Sequence, residues 1–286
     1  SVGTSLTGGS GIHSYVTYYL VDSNAKTFSL AKQFPVTYSS IVSNAQSFDG
    51  NYVVNSGVAS RKMYLEGQST IPSDTVCYPA KLVHGHVLDL SKQGVDRIFL
   101  PHILHMPPEN KREKSPYVCP VIMGYSMVVR NFQSPEEHFS VDFETPVFHW
   151  FTEKDRKRQI CQYAMDRCGA TKQQAEEACR QAAAAITAFR HQLAEAGKQV
   201  IADTEKTGGF AVVLAGRPYH TDPLINHDLS RMFTRRGIPV LTVDSLPGLE
   251  TADLRKSRVE ITNDFHARML SGAMVTAGRS CLEYVQ

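Results

Sequence analysis

Apolar residues recur at helical spacing through a charged, Ala-rich stretch in the second half of the chain, residues 150–207. The spacing predicts one helix over about 152–168, ended by Gly169, and then a long second helix. The tetrapeptide "TKQQ" (171–174) has the residue types of a capping box at the start of that second helix. We expect the long helix to pack along one apolar stripe and to connect two α/β units.

Shorter apolar runs on the amino-terminal side of this helical stretch predict strands. They are rich in β-branched and aromatic residues, as strands usually are, and they lie at 12–21, 51–54 and 95–101. A helix over 57–66, ending at Gly67, is expected after the second of these strands.

Two further helices are predicted to begin at cysteines. In "CYPAKLVHGHVLDL" (77–90), Pro79 suits a first helical turn, and Leu and Val recur at helical spacing until Gly94. Cys119-Pro120 begins the second such segment. Strand, cysteine loop and helix therefore occur twice, an arrangement that places chemistry at strand ends in α/β folds.

The carboxyl-terminal part shows a β-α-β pattern. The run "FAVVLAG" (210–216) predicts a buried parallel strand, followed by a helix over about 223–236, a strand at 239–243 and a helix at 263–278. The whole pattern predicts an α/β fold with two Rossmann-like parallel-sheet units joined by a long helical segment. The expected divisions are a flexible N-terminus (1–11), a first α/β domain with the cysteine loops (12–149), a helical connector (150–207) and a second α/β unit, truncated at its C-terminus (208–286).

The composition is that of an ordinary globular protein. The 286 residues are 42% hydrophobic and 20% charged, with a formal net charge of +2, which gives no electrostatic reason to expect nucleic acid or an anionic membrane as a partner. No apolar run approaches the roughly 18 residues of a membrane span, and no signal peptide is evident. Six cysteines in this length do not make a disulfide scaffold, so a reduced, cytoplasmic location is expected.

Candidate chemistry centres on Cys77 and Cys119, since the P-loop, dinucleotide-fingerprint, elbow-serine, HExxH and CxxC motifs are all absent. Each of these cysteines stands at a predicted helix start, where partial positive charge favours the thiolate that binds iron or zinc. The alternative is that both are buried loop cysteines. The nearby His84, His86, His102 and His105 would permit a zinc site, although polar lining roles suit them better.

The remaining cysteines carry weaker signals. Cys161, Cys168 and Cys179 lie on the predicted connector helices and are expected to pack between them. Cys281 follows the last predicted helix, and its role stays open.

A second candidate site is the turn "GRPYHTDPLINH" (216–227), which follows a buried strand. Polar side chains at the carboxyl end of a parallel strand are typical of a ligand crevice, and an arginine there suits a carboxylate or phosphate. The equally weighted alternative is a turn whose polar groups bond only to one another. The candidate cofactor-binding residues are Arg217, His220, Asp222 and Asn226.

The blocks "TIPSDTVCYPAKLVHGHVLDL", "YVCPVIMGY" and "GRPYHTDPLINH" resemble the acyl-CoA dehydratase activase-related proteins of the 2-hydroxyacyl-CoA dehydratase and benzoyl-CoA reductase superfamily. The resemblance implies an iron–sulfur cluster, of the 4Fe–4S type, with Cys77 and Cys119 as ligands and a further cysteine expected beyond Gln286. It also implies low-potential electron transfer, with an activator ATPase domain or a dehydratase or reductase subunit as partner, and a CoA thioester as ligand. "INHD" departs from the family's usual "INHG", which leaves the backbone at Asp228 in question.

The function expected from the sequence is thus an iron–sulfur, dehydratase-subunit-like segment that serves or activates a CoA-thioester enzyme. Two alternatives remain open. One is a non-catalytic scaffold with structural cysteines, and the other is a CoA-thioester binding module centred on Arg217 and His220.

Overall fold

The computed structural model describes residues 14–22, 27–36, 47–48 and 51–52 as strands, and then residues 56–285 except 109–114, 116, 259 and 262. The predicted flexible segment 1–11 lies outside the described residues. The strand predicted at 12–21 is present as β1 (Ser14–Asp22), which pairs antiparallel with β2 (Thr27–Val36). A small hairpin follows, formed by β3 (Ser47–Phe48) and β4 (Asn51–Tyr52).

Helices α1 (Arg61–Gly67) and α2 (Tyr78–Lys92) cross at unusually close range. A Cβ atom added at Gly67 would lie 2.5 Å from the backbone nitrogen of Gly85, and one at Gly85 would overlap the carbonyl oxygen of Met63. Only residues without a side chain allow this approach. The crossing holds α2, and therefore Cys77 at its start, against α1.

The first unit contains two short pairs of parallel strands. Strand β5 (Arg97–Phe99) pairs with β7 (Asp142–Glu144), and β6 (His102–His105) pairs with β8 (Val147–His149). Helix α3 (Pro120–Gln133) and the short α4 (Pro135–Phe139) lie between β6 and β7 in the chain. Apolar side chains of α2, α3 and the strands form one core, which includes Val87, Ile98, Val129 and Phe143.

The two helices predicted in residues 150–207 are present, and they pack against each other as a hairpin. Helix α5 (Glu153–Cys168) ends at Gly169, which has a φ of 68°, and α6 (Lys172–Thr207) runs for 36 residues. The predicted capping box is present, because Thr171 Oγ1 accepts from the Gln174 amide at 3.3 Å and Gln174 Oε1 accepts from the Thr171 amide at 2.8 Å. Near its end α6 contacts the second unit, where a Cβ atom at Gly197 would overlap the carbonyl oxygen of Ser245.

The second unit is built on three parallel strands. Strand β9 (Ala211–Leu214) is central and fully apolar, between β10 (Val240–Thr242) and β11 (Leu282–Val285). Helix α8 (Asp264–Ala277) precedes β11. The buried parallel strand predicted at 210–216 is therefore confirmed.

The helix predicted at 223–236 is much shorter in the structure, where α7 covers Leu229–Thr234. Asp222 Oδ1 accepts from the Leu224 amide at 2.8 Å and stabilises a turn instead. His227 and Asp228 have φ values of 53° and 59°, which interrupt any right-handed helix before residue 229.

Mixed helices and short parallel sheets agree with the predicted α/β class. The Rossmann-like part of that prediction is not established, since the parallel sheets in the described residues have two, two and three strands. None of the described helices is both long enough and apolar enough to span a membrane.

Candidate functional site

Both predicted cysteines occupy the N-cap of a helix. Cys77 precedes α2 and Cys119 precedes α3, each with a proline in the first turn. Cys77 is exposed and Cys119 is half-buried. The predicted order of strand, cysteine loop and helix is wrong for Cys77. Helix α1 and a 3-10 turn (Gln68–Thr70), and not a strand, directly precede its loop.

The surroundings of Cys119 favour a thiolate. Burial alone would raise the pKa of this thiol. The N–H groups of Val121 and Ile122 oppose that effect, and the neighbouring Arg217 guanidinium with its positive charge lowers the pKa further. The net result is a pKa below the ordinary value for cysteine, which increases the fraction of the nucleophilic, metal-binding form at neutral pH.

Arg217 comes from the second unit, so this residue of the second candidate site lies beside Cys119 of the first. It begins a 3-10 turn (Pro218–Thr221) that ends at Asp222. Asp222 lies within electrostatic range of Tyr78, the residue after Cys77, and raises its pKa together with burial, the larger effect, and Tyr64. Arg217 at one end of the turn is therefore near the start of α3, and Asp222 at the other end is within electrostatic range of the start of α2.

Most polar side chains of the turn bond within it. The Arg217 amide donates to His220 Nδ1 at 2.9 Å, and Asn226 Nδ2 donates to the His220 carbonyl at 3.0 Å. Asp222 Oδ1 accepts from the Leu224 amide. The self-bonded interpretation thus describes His220, Asp222 and Asn226, whereas the Arg217 guanidinium extends out of the turn, 5.6 Å from the centre of the Phe265 ring and next to Cys119.

A buried hydrogen-bond chain centres on His84 of α2, the helix that begins after Cys77, and the sequence did not reveal it. His84 is fully buried, with Nε2 at 3.1 Å from the Tyr125 hydroxyl and Nδ1 at 2.9 Å from Thr70 Oγ1. Thr70 Oγ1 donates its hydrogen to the Gly67 carbonyl at 2.9 Å. His84 Nδ1–H must therefore donate to Thr70, and the Tyr125 hydroxyl donates to Nε2.

Both members of the buried pair are neutral at physiological pH. Burial lowers the pKa of His84 to about 4. Burial also raises the pKa of Tyr125 to about 12, with a smaller contribution from negative charge at Cys77. The pair is therefore uncharged at neutral pH, and His84, with both ring nitrogens in hydrogen bonds, has a structural polar role.

The other three histidines near the cysteines each bond to a different partner. His86 Nδ1 lies 2.7 Å from Ser56 Oγ, and His102 Nδ1 donates to the Met123 carbonyl at 2.7 Å. His105 and His149 pair through their Nδ1 atoms at 3.1 Å. Within the described part of the chain, no group of three or more His, Cys, Asp or Glu side chains converges as metal ligands would.

Cys77 and Cys119 would therefore provide two of the four thiolates that a 4Fe–4S cluster requires. Their chemistry fits such a cluster, because helix N-termini and an arginine suit an anionic group. The described residues do not complete the set of ligands.

The other four cysteines differ in burial and in their partners. Cys161 and Cys179 contact each other between α5 and α6, as the packing prediction requires. The prediction is wrong for Cys168, which is exposed because it is the last residue of α5. Cys281 is buried and its thiol donates to Glu205 Oε1 at 3.6 Å, which answers the question that the sequence left open.

A family model described as the CoA enzyme activase uncharacterised domain matches residues 48–246. The matched region covers more than half of the chain and includes Cys77, Cys119 and the turn that begins at Arg217. No curated protein and no solved structure matches the chain.

Proposed function

This chain belongs to the CoA enzyme activase uncharacterised domain family, and we propose that it forms an iron–sulfur, dehydratase-subunit-like part of an activase-related protein. In this role it serves low-potential electron transfer, or the activation of a 2-hydroxyacyl-CoA dehydratase or acyl-CoA reductase. The observation that carries the proposal is that Cys77 and Cys119 each occupy a helix N-cap, and that Arg217 lies beside Cys119 and helps to lower the pKa of its thiol.

In the proposed site, Cys77 and Cys119 are thiolate ligands of the cluster. The amides of Val121 and Ile122 and the Arg217 guanidinium offset negative charge at Cys119. A bound cluster would supply electrons at low potential to a CoA-thioester enzyme.

The partner that this proposal calls for is an activator ATPase domain or a dehydratase or reductase subunit. Two thiolates leave two ligand positions to be filled. We propose that another polypeptide, or sequence outside these 286 residues, fills them.

Anaerobic reconstitution with ferrous iron and sulfide, followed by iron and sulfide analysis and EPR, tests the proposal. An added small thiol would complete the ligand set in the isolated chain. We expect bound iron and sulfide to fall at least fivefold in Cys77→Ser and in Cys119→Ser. Cys168→Ser is the matched control, because Cys168 is exposed but lies on α5, outside the site. Equal iron content in the wild type and in the double variant Cys77→Ser/Cys119→Ser would refute the ligand assignment.

A second candidate is a CoA-thioester binding module, and the position of Arg217 favours it. The guanidinium lies in the site with an aromatic ring, Phe265, at 5.6 Å, and arginine binds phosphate groups such as those of CoA. A CoA thioester should then raise the melting temperature of the wild type but not that of Arg217→Ala. No shift in either protein, together with no iron in the preceding experiment, would instead indicate a scaffold with structural cysteines.

A further inference from the structure

Two cysteines outside the candidate site face each other across the helical hairpin. The sulfur of Cys161 on α5 lies 3.4 Å from the sulfur of Cys179 on α6. Cys161 is 7% exposed and Cys179 is half-buried. A disulfide bond needs a sulfur separation of about 2.05 Å, so a contraction of about 1.4 Å would join them.

The contact lies at the seam between the helices. Cys161 is the buried residue of α5, and Ala175, one turn before Cys179, is buried on α6. Because both helices continue past the contact and are joined by the short segment 169–171, the two sulfurs are held together by the fold.

We propose that Cys161 and Cys179 form a site of oxidative modification, at which a low-molecular-weight disulfide converts the two thiols into an intramolecular disulfide bond. The more exposed Cys179 loses its proton to solvent and attacks the small disulfide, which releases one small thiolate. Cys161 then loses its proton and attacks the Cys179 sulfur, which releases the second. Two protein thiols are oxidised and one small disulfide is reduced to two thiols.

The surroundings make this reaction slow to start and fast to finish. Burial, and then the neighbouring Cys161, raise the pKa of Cys179 to about 11, against the smaller opposing effects of Lys157 and Arg156. The first attack is therefore slow at neutral pH and accelerates as pH rises. The second is intramolecular, with the attacking sulfur already at van der Waals distance, so the mixed disulfide does not accumulate.

The bond would link positions 18 residues apart and tie α6 to α5 near the start of the helix that leads to the second unit. Closing a loop of this length should raise the melting temperature by roughly 5–10 °C.

Treatment of the native protein with glutathione disulfide at mildly alkaline pH tests the proposal. Free thiols are then alkylated, and peptides are identified by mass spectrometry. We expect a peptide in which Cys161 is linked to Cys179, and a higher melting temperature. Cys161→Ser should lose both effects and accumulate a glutathione adduct on Cys179, whereas Cys168→Ser should behave as the wild type.

Exposed Cys168 reports within the same sample whether the oxidant has acted. If Cys168 carries glutathione while Cys161 and Cys179 remain thiols, the proposal is wrong. A glutathione adduct that persists on Cys179 of the wild type, without the linked peptide, would also overturn it.

Discussion

Replacing Gly85 with alanine should separate two helices, although it improves the helix in which it occurs. A Cβ atom at this position in α2 would lie 2.6 Å from Met63 Cγ and 2.9 Å from the Met63 carbonyl carbon. It would also overlap the Met63 carbonyl oxygen. Met63 is 9% exposed and its backbone belongs to α1, so the contact cannot be relieved by moving a flexible side chain alone.

The magnitude follows from two opposing effects. Alanine is favoured over glycine in a helix interior by about 1 kcal/mol. Overpacking costs about 1–3 kcal/mol, and contacts with backbone atoms belong at the upper end of that range. The expected net result for Gly85→Ala is a loss of about 1–2 kcal/mol in the free energy of unfolding.

Gly124 provides a matched control, because it also lies in a helix interior, that of α3, and an added Cβ atom there would meet nothing within 4 Å. Gly124→Ala should therefore raise the free energy of unfolding by about 0.5–1 kcal/mol. Urea unfolding, followed by circular dichroism, compares both variants with the wild type. If Gly85→Ala were as stable as Gly124→Ala, the close crossing of α1 and α2 would be refuted.

Two further predictions concern protonation and backbone strain. Burial lowers the pKa of His84 from its ordinary 6.5 to about 4, so its stability contribution is complete above pH 6.5 and is lost as pH falls towards 4, by up to about 3 kcal/mol. His84→Gln should flatten the pH dependence of the unfolding free energy in that window, and an unchanged slope would contradict the assignment. Asp228 has a φ of 59°, a conformation that costs a residue other than glycine about 1 kcal/mol. Replacing Asp228 would also remove its weak, exposed ion pair with Arg231 at 3.1 Å. Asp228→Gly should stabilise the protein by about 0.5 kcal/mol and Asp228→Val should destabilise it by more than 1 kcal/mol, as thermal unfolding would show; equal effects would be inconsistent with the strain.

Features with local causes were predictable from the sequence. Gly169 ends α5 and the capping box begins α6, because both signals act through neighbouring backbone groups. The αL conformation at Asp228 is one that glycine adopts without strain, which agrees with the glycine that the family resemblance implies at this position. The start of α7 was missed because two consecutive non-glycine residues with positive φ leave no clear pattern in the sequence.

Local sequence patterns could not predict strand pairing or the assembly of the site. The strand predicted at 95–101 ends before His102, yet His102 and His105 begin and end β6, which pairs with β8 about 45 residues later in the chain. The pairing of His84 with Tyr125 joins residues 41 positions apart. No periodicity in either segment indicates such a contact.

The lowered pKa of Cys119 has both local and long-range causes. The amides of Val121 and Ile122 are fixed by the N-cap position and would accompany any helix that begins at Cys119. The Arg217 contribution requires the second unit to be folded and in place, because Arg217 precedes the turn that follows β9. A thiol with only the local contributions would have a higher pKa than one with all three. The full lowering of the Cys119 pKa is therefore a property of the assembled chain, and we would not expect the first unit alone to reproduce it.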